Sequence, residues 1–281
     1  MKRFLIILAG ISFLSCGNAQ NDKEQNKTDS ESITKQIQHK DNDLNFLNLK
    51  GKVKFIREIP YTAMEISGKI EKGEIERGVD FTTNYFYNLI HGDITTPFTR
   101  EFNEKGNETL RYTVEQQLHF EHDDKGNVIQ QDYTGKEVGT SVYKYNENGN
   151  IVEFQYNGKE TPQNKKIIFK YEKDKLTEIE VYNEAKLIEK QNLVHNDKGF
   201  KIITQDITGY FNNKGNVLEI NSSTPIKVKY NDNGDVDTTM MADSVLKFKY
   251  TYDEKGNWIN RITYSDDKPI IITERVIEYY P

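Results

Sequence analysis

The sequence predicts an all-β protein, an antiparallel meander of repeated β-hairpins forming a curved or spiral sheet. Three observations carry that expectation. A short turn motif recurs along most of the chain, the segments flanking it alternate polar and apolar residues, and helix formers are scarce. The 281 residues include five Ala against 27 Asn, 17 Tyr and 14 Phe, and Ala is the best helix former. An aromatic share of 11% also separates the chain from disordered sequences, which are poor in aromatics.

The motif runs aromatic, Asn or Asp, two residues, Gly, Asn. Its first four copies are Phe102-Asn103 with Gly106-Asn107, His122-Asp123 with Gly126-Asn127, Tyr145-Asn146 with Gly149-Asn150, and Tyr171-Glu172 with Lys175. The next four are His195-Asn196 with Gly199, Phe211-Asn212 with Gly215-Asn216, Tyr230-Asn231 with Gly234, and Tyr252-Asp253 with Gly256-Asn257. Only the fourth breaks both the Asn/Asp and the Gly position. Asn or Asp favours the first position of a type I turn, where its side chain bonds the backbone. Gly adopts the positive φ of the bulge that follows such a turn in a hairpin without steric cost. Each copy is therefore expected to be a hairpin tip, with one strand ending at the aromatic and the next starting after the Asn.

The flanks agree. Ile167–Tyr171, Ile226–Tyr230 and Lys247–Tyr252 alternate with period two, the pattern of a strand with one buried and one wet face. Incoming strands carry Lys and outgoing strands carry acids such as Glu153, Glu180 and Glu219, which can pair across the ladder. One wet face also accounts for a hydrophobic share of only 35%. Ahead of the repeats, Gly51–Ala63 reads as a strand with Pro60 near its end, which suits a sheet edge. Ser67–Gly78 reads as a hairpin or loop and Thr83–Ile90 as a strand. Ile270–Tyr280 supplies one or two more.

The N-terminal region reads differently. Lys2 and Arg3 precede an eleven-residue apolar run, Phe4–Leu14. At ~1.5 Å per residue this run is too short to span a hydrocarbon core of roughly 30 Å, and it has the form of a secretory signal. Phe13-Leu14-Ser15-Cys16 resembles the lipobox of bacterial lipoproteins. That resemblance implies cleavage after residue 15, acylation of Cys16, and anchoring at the outer membrane or cell surface, Gly17 standing where an inner-membrane lipoprotein often has Asp. Asn18–Asp43 has no aromatic, Gly or Pro and is expected to be a disordered tether. The division is thus a signal over 1–15, the lipidated Cys and tether over 16–43, and one β-repeat domain over 44–281.

The aromatic-Asp-x-x-Gly signature, clearest at Tyr252-Asp253-Glu254-Lys255-Gly256-Asn257, resembles the YD repeat of the Rhs family across roughly Phe98 to Tyr264. The resemblance implies hairpins wound into a continuous spiral sheet. It implies no toxin, because eight copies are too few for a large shell and the family's Asp-Pro self-cleavage signature is missing.

Chemistry is sparsely signalled. A net charge of −6 argues against nucleic acid as partner, and a single Cys excludes a disulfide framework or a multi-cysteine metal site. His119 and His122, three apart on a strand, point to opposite faces and cannot easily share a metal. Asn231–Asp237 has the oxygen density of a calcium loop, yet Lys229 and Met240 occupy the positions where such a loop needs Asp and Glu. No cofactor or metal is expected. The sole Trp, Trp258, just after the last turn, is a possible ligand contact if exposed and an end cap if buried. The function expected is a non-catalytic envelope lipoprotein that binds a protein or glycan or supports an envelope assembly. A polysaccharide hydrolase and a toxin-immunity partner are the alternatives.

Overall fold

The structure, a computed structural model, describes residues 43–75, 97–113, 116–135, 138–159 and 164–281. The signal segment, Cys16, nearly all of the tether and the strand expected over Thr83–Ile90 lie outside the described residues. Within them the chain forms one helical turn, α1 (Asp43–Phe46), and nineteen strands. β1 (Val53–Ile66) and β2 (Lys69–Ile75) form a first hairpin around Ser67-Gly68.

Each repeat then gives one hairpin. The first four are β3 (Phe98–Phe102) with β4 (Glu108–Tyr112), β5 (Gln116–His122) with β6 (Val128–Gly135), β7 (Gly139–Tyr145) with β8 (Ile151–Gly158), and β9 (Lys165–Glu172) with β10 (Lys175–Asn183). The rest are β11 (Lys186–Asn196) with β12 (Gly199–Ile203), β13 (Thr208–Asn212) with β14 (Val217–Asn221), β15 (Ile226–Tyr230) with β16 (Val236–Met241), and β17 (Ser244–Tyr252) with β18 (Trp258–Ser265). A single long strand, β19 (Lys268–Tyr279), ends the chain.

Six turns share one geometry. The Gly N–H donates to the carbonyl three residues earlier at 2.9–3.0 Å, closing a type I turn. The Asn or Asp that opens the turn accepts, through Oδ1, the backbone N–H groups two and four residues on at 2.8–3.1 Å. Gly106, Gly126, Gly149, Gly215, Gly234 and Gly256 stand at φ of 79–84°, and the ladder slips by one residue beside each. This is a type I turn with a glycine bulge.

Copies four and five depart from it. In the fourth, the left-handed residues are Lys173 (φ 49°) and Asp174 (φ 63°), and Lys175 pairs with Glu172 as an ordinary ladder residue. This tip is a two-residue turn of the mirror type, with no glycine at residue 175. In the fifth, Asn196 pairs directly with Gly199, whose φ is 151°. Glycine is needed there because a Cβ would run into the carbonyl oxygen of Phe211.

The expected spiral does not form. β19 pairs antiparallel with β1 from Val53–Tyr279 to Thr62–Ile271, and the opposite edge of β1 pairs with β3. The meander β3 to β19 is thereby sealed by β1 into a closed barrel of eighteen strands, with β2 extending the edge of β1 beyond β3. An open YD-type winding is excluded by this pairing. So is the edge position expected for Pro60, which lies in a strand flanked on both sides. The residue falls between the end of the β3 pairing at Glu58 and the start of the β2 pairing at Tyr61, where the second neighbour changes over.

Alternation decides what fills the barrel. Ile179, Val181, Ile202, Ile226 and Val236 face inward and are no more than 1% exposed. They belong to one core running from Val128 to Phe248. A water-filled lumen, such as 16–18-stranded porins keep, would leave such residues wet. The space is packed instead.

The aromatic of four motifs also has a polar task. Tyr145, Tyr171 and Tyr230 donate their hydroxyls to the carbonyls of Val128, Ile151 and Val217 in the preceding hairpin, at 2.8, 2.8 and 3.0 Å. His195 fills the same role, its Nε2 lying 2.7 Å from the carbonyl of Leu176. Phe211 cannot donate and stacks on Phe200 at 4.9 Å. Tyr280 completes the circle, donating to the carbonyl of Phe102 at 2.7 Å.

Turn geometry sets the expected mutational response. Gly215→Val forces a β-branched residue to positive φ and is expected to cost about 1–3 kcal/mol. Lys173→Asn relieves a left-handed lysine and is expected to stabilise by up to ~1 kcal/mol, the scale of the left-handed penalty. Lys175→Gly, now in a ladder, should weaken the protein. Denaturant midpoints of the three variants check all three signs.

Candidate functional site

From β7 to β11 the outer face carries a run of paired charges, and single exposed pairs recur at Lys227–Glu219, Lys247–Asp267 and Lys72–Glu274. Glu153 on β8 lies 2.7 Å from both Lys144 on β7 and Lys166 on β9. Glu178 on β10 bridges Lys170 and Lys190 at 2.7 and 2.5 Å, and Lys170 also reaches Glu180 at 2.7 Å. Hydrogen bonds from Lys170 and Lys190 draw the Glu178 carboxyl down to about 2. The Lys-incoming, Glu-outgoing pattern read from the sequence is here a set of cross-strand triads.

A second polar region lies inside, at the seam. Glu58 on β1, 2% exposed, accepts from Arg275 on β19. Arg275 in turn lies over the ring of Trp258, 3.4 Å from its centroid, and Arg261 sits 4.9 Å from the same ring. Arg261 donates to Thr273 at 3.0 Å. On the next strands Glu108 accepts from Arg100 at 3.2 Å and from Arg111 at 2.8 and 2.7 Å. Burial works to raise the Glu108 carboxyl, but Arg100 and Arg111 outweigh it and hold the group below the usual range. Burial likewise pushes the Arg100 guanidinium down to about 10, with repulsion from Arg111 adding to it. It stays charged at neutral pH. Clamped by two guanidinium groups, the Glu108 carboxylate accepts hydrogen bonds and holds no proton to donate.

α1 and the residues after it lie across the end of the barrel that carries the motif turns. Asp43 accepts the backbone N–H of Glu108 at 2.6 Å and lies 3.7 Å from His122. Asn48 donates to the carbonyl of Asn233 at 2.9 Å, and Lys50 N–H donates to Asn257 at 2.7 Å. Leu44 and Leu49 pack into a small core with Val53, Ile56, Phe98 and Phe102.

No family model matches the sequence, and no curated protein does. Among solved structures, the chain is similar to one titled a porin-like protein from Bacteroides uniformis, at 10% identity and a TM-score of 0.44, over 82% of this chain and 99% of that one. Likeness of that degree leaves function to be read from the residues themselves.

Those residues face the opposite way from a membrane-spanning barrel. Such barrels put apolar side chains outward and polar ones inward, and Lys or Arg on the lipid face costs about 2–4 kcal/mol at the midplane. Here the lysine–glutamate triads face out and Ile, Val and Phe face in. No helix among the described residues is long and apolar enough to cross a membrane either.

The residues singled out in the sequence separate accordingly. The turn glycines lie in the ring of tips at one end, and Cys16 lies outside the described residues. Trp258 is 7% exposed and engaged by two arginines, so its ring presents no face to an external ligand. His119 faces outward, 3.0 Å from the Gln117 amide, whereas His122 is turned inward toward Asp43. Asn231 uses its side-chain oxygen on the N–H groups of Asn233 and Asp235, closing a turn of the kind seen in the other copies. The interior arginines had a faint signal. Arg supplies only seven of the 38 basic residues, and Arg100, Arg111, Arg261 and Arg275 all face inward while the wet strands use Lys.

Two outcomes follow. Arg275→Met strands Glu58 as a buried lone charge and is expected to cost about 3–5 kcal/mol, with Glu58→Leu in the same chain recovering most of it; thermal or denaturant unfolding of the pair decides. The low Glu178 value adds stability that is present above the ordinary carboxylate range near pH 4.5 and lost as pH falls toward 2. Glu178→Gln should flatten that part of the stability–pH curve, read from denaturant midpoints between pH 2 and 6.

Proposed function

We propose that this is a non-catalytic envelope protein. Its packed barrel stands in water, held to the outer membrane or cell surface through lipid on Cys16, and its outer face meets a protein or glycan. The observation that carries the reading is the outward charge of the barrel, which suits water and opposes immersion in lipid. Attachment must then come from elsewhere in the chain. The Lys2-Arg3 start, the short apolar run and the Ser15-Cys16 junction offer it, and acylation adds about 0.8 kcal/mol of membrane affinity per buried CH₂. An anchor at Cys16 would lead into the barrel at the turn-bearing end, where α1 begins 27 residues later. A hydrolytic role finds no support in the clamped interior carboxylates.

Fractionation separates this reading from a spanning barrel. Wild-type protein should sediment with membranes and incorporate a fatty-acid analogue. Cys16→Ser should lose the label and leave the membrane fraction on alkaline washing. Retention of an unlabelled Cys16→Ser barrel after that wash would refute the proposal.

A further inference from the structure

Beside the lysine–glutamate triad of β7 to β9, one row of the outer face carries no lysine or glutamate. Across β4 to β8 the outward row reads Leu110, His119, Asp132, Thr140, Asn157, each paired with the next. Their chain neighbours Gln131 and Ser141 are buried inside, so strand alternation turns this row outward.

Asp132 is the centre of the row and is held by neutral groups. Its Oδ1 accepts from Thr140 Oγ1 at 2.8 Å and its Oδ2 from Gln130 Nε2 at 3.0 Å. Those two hydrogen bonds, with attraction from Lys159 adding to them, hold the carboxyl below its usual range, and it stays ionised. A carboxylate offers about four lone-pair sites, so two remain for an outside donor. On the paired strand, the Gln117 amide lies 3.0 Å from His119 Nε2. If that amide donates, Nδ1 is the ring nitrogen that carries a proton for an outside acceptor. Tyr112, 38% exposed, pairs with Gln117 at the border of the patch.

We infer that the outer face of β4 to β8, centred on Asp132, is a binding surface for a neutral oligosaccharide. The chemistry matches in three respects. A carboxylate with free lone pairs accepts charge-assisted hydrogen bonds from adjacent sugar hydroxyls. The imidazole and the amide of Asn157 donate to the oxygens of the same hydroxyls. An exposed tyrosine supplies an apolar ring face with a polar tip. An acidic glycan is disfavoured by Asp132, whose hydrogen-bond partners are uncharged. Holding Asp132 by Thr140 and Gln130 fixes the acceptor before the ligand arrives, which lowers the ordering cost of binding. The inference rests on the reading of the barrel as a water-exposed binding protein.

The test is calorimetric titration of the full chain in a detergent without a sugar headgroup. The probes are cellohexaose, maltohexaose, xylohexaose and mannohexaose, with hexagalacturonate as the acidic comparison. At least one neutral hexasaccharide should bind with Kd below ~1 mM, the weak end of specific recognition. Asp132→Ala and Tyr112→Ala should each weaken it tenfold or more, and Lys170→Ala on the charged face should leave it unchanged. Circular dichroism melts confirm folding, and Tyr112→Ala decides if Asp132→Ala does not fold. Binding of none of the neutral probes, preference for hexagalacturonate, or wild-type affinity in the Asp132 and Tyr112 variants overturns the inference. So does a dimer that Asp132→Ala dissociates, since the face would then serve self-association. Membrane attachment through Cys16 is read by fractionation and labelling, so either proposal can fail without the other.

Discussion

The pairing of β1 with β19 is the contact on which the rest of the molecule depends. It joins Ile56 to Ile277 and Glu58 to Arg275 across more than two hundred residues, and the other hairpins sit between those two strands. A meander of seventeen strands without it would have two exposed edges, each a row of unpaired backbone groups open to other chains. The seam is also where charge is buried. Glu58–Arg275 and Glu108 with Arg100 and Arg111 place strongly directional contacts at the strands that must meet. Apolar packing is tolerant of slippage, whereas a buried carboxylate left beside no guanidinium is costly. That gives the seam a defined register, since a one-residue slip would turn Glu58 outward and strand Arg275.

Between neighbouring hairpins the coupling is shorter in range and repeated. The motif aromatics Tyr145, Tyr171, His195 and Tyr230 each reach the preceding hairpin with a polar end. Burial pushes the hydroxyls of Tyr171 and Tyr230 well up from their ordinary value, so they remain donors at any pH the protein meets. This explains which substitutions the motif accepts. Histidine serves at residue 195 because a ring nitrogen can reach the carbonyl of Leu176. Phenylalanine at 211 loses the bond and gains a stacked ring in its place.

Local features of this fold were legible and the global one was not. Turn positions followed from Asn/Asp and Gly spacing because a type I turn with a bulge is fixed by six consecutive residues. Facing followed from period-two alternation for the same reason. Closure involves no such local signature. β1 reads as an ordinary strand, and its Pro60 suggested an edge because the sequence does not reveal that its second neighbour changes from β3 to β2 beside that residue. The fourth repeat was visibly irregular, but Lys175 alone could not show that the tip had shortened and moved the left-handed positions to Lys173 and Asp174. Trp258 was ambiguous until its arginine partners on β18 and β19 were in place. The Asp132 patch was equally hidden, since its residues come from separate strands and none belongs to the motif.

Closure by the first and last strands has a consequence for how the protein is made. Synthesis is vectorial, so β1 exists long before its partner, and every hairpin can form locally before the seam can. Until β19 has left the ribosome, the nascent sheet carries two open edges and an unsealed apolar interior. Any premature stop would leave it permanently in that state. Closure is therefore all-or-nothing at β19: losing that one strand of the nineteen described would convert a sealed barrel into an open ribbon with two sticky edges.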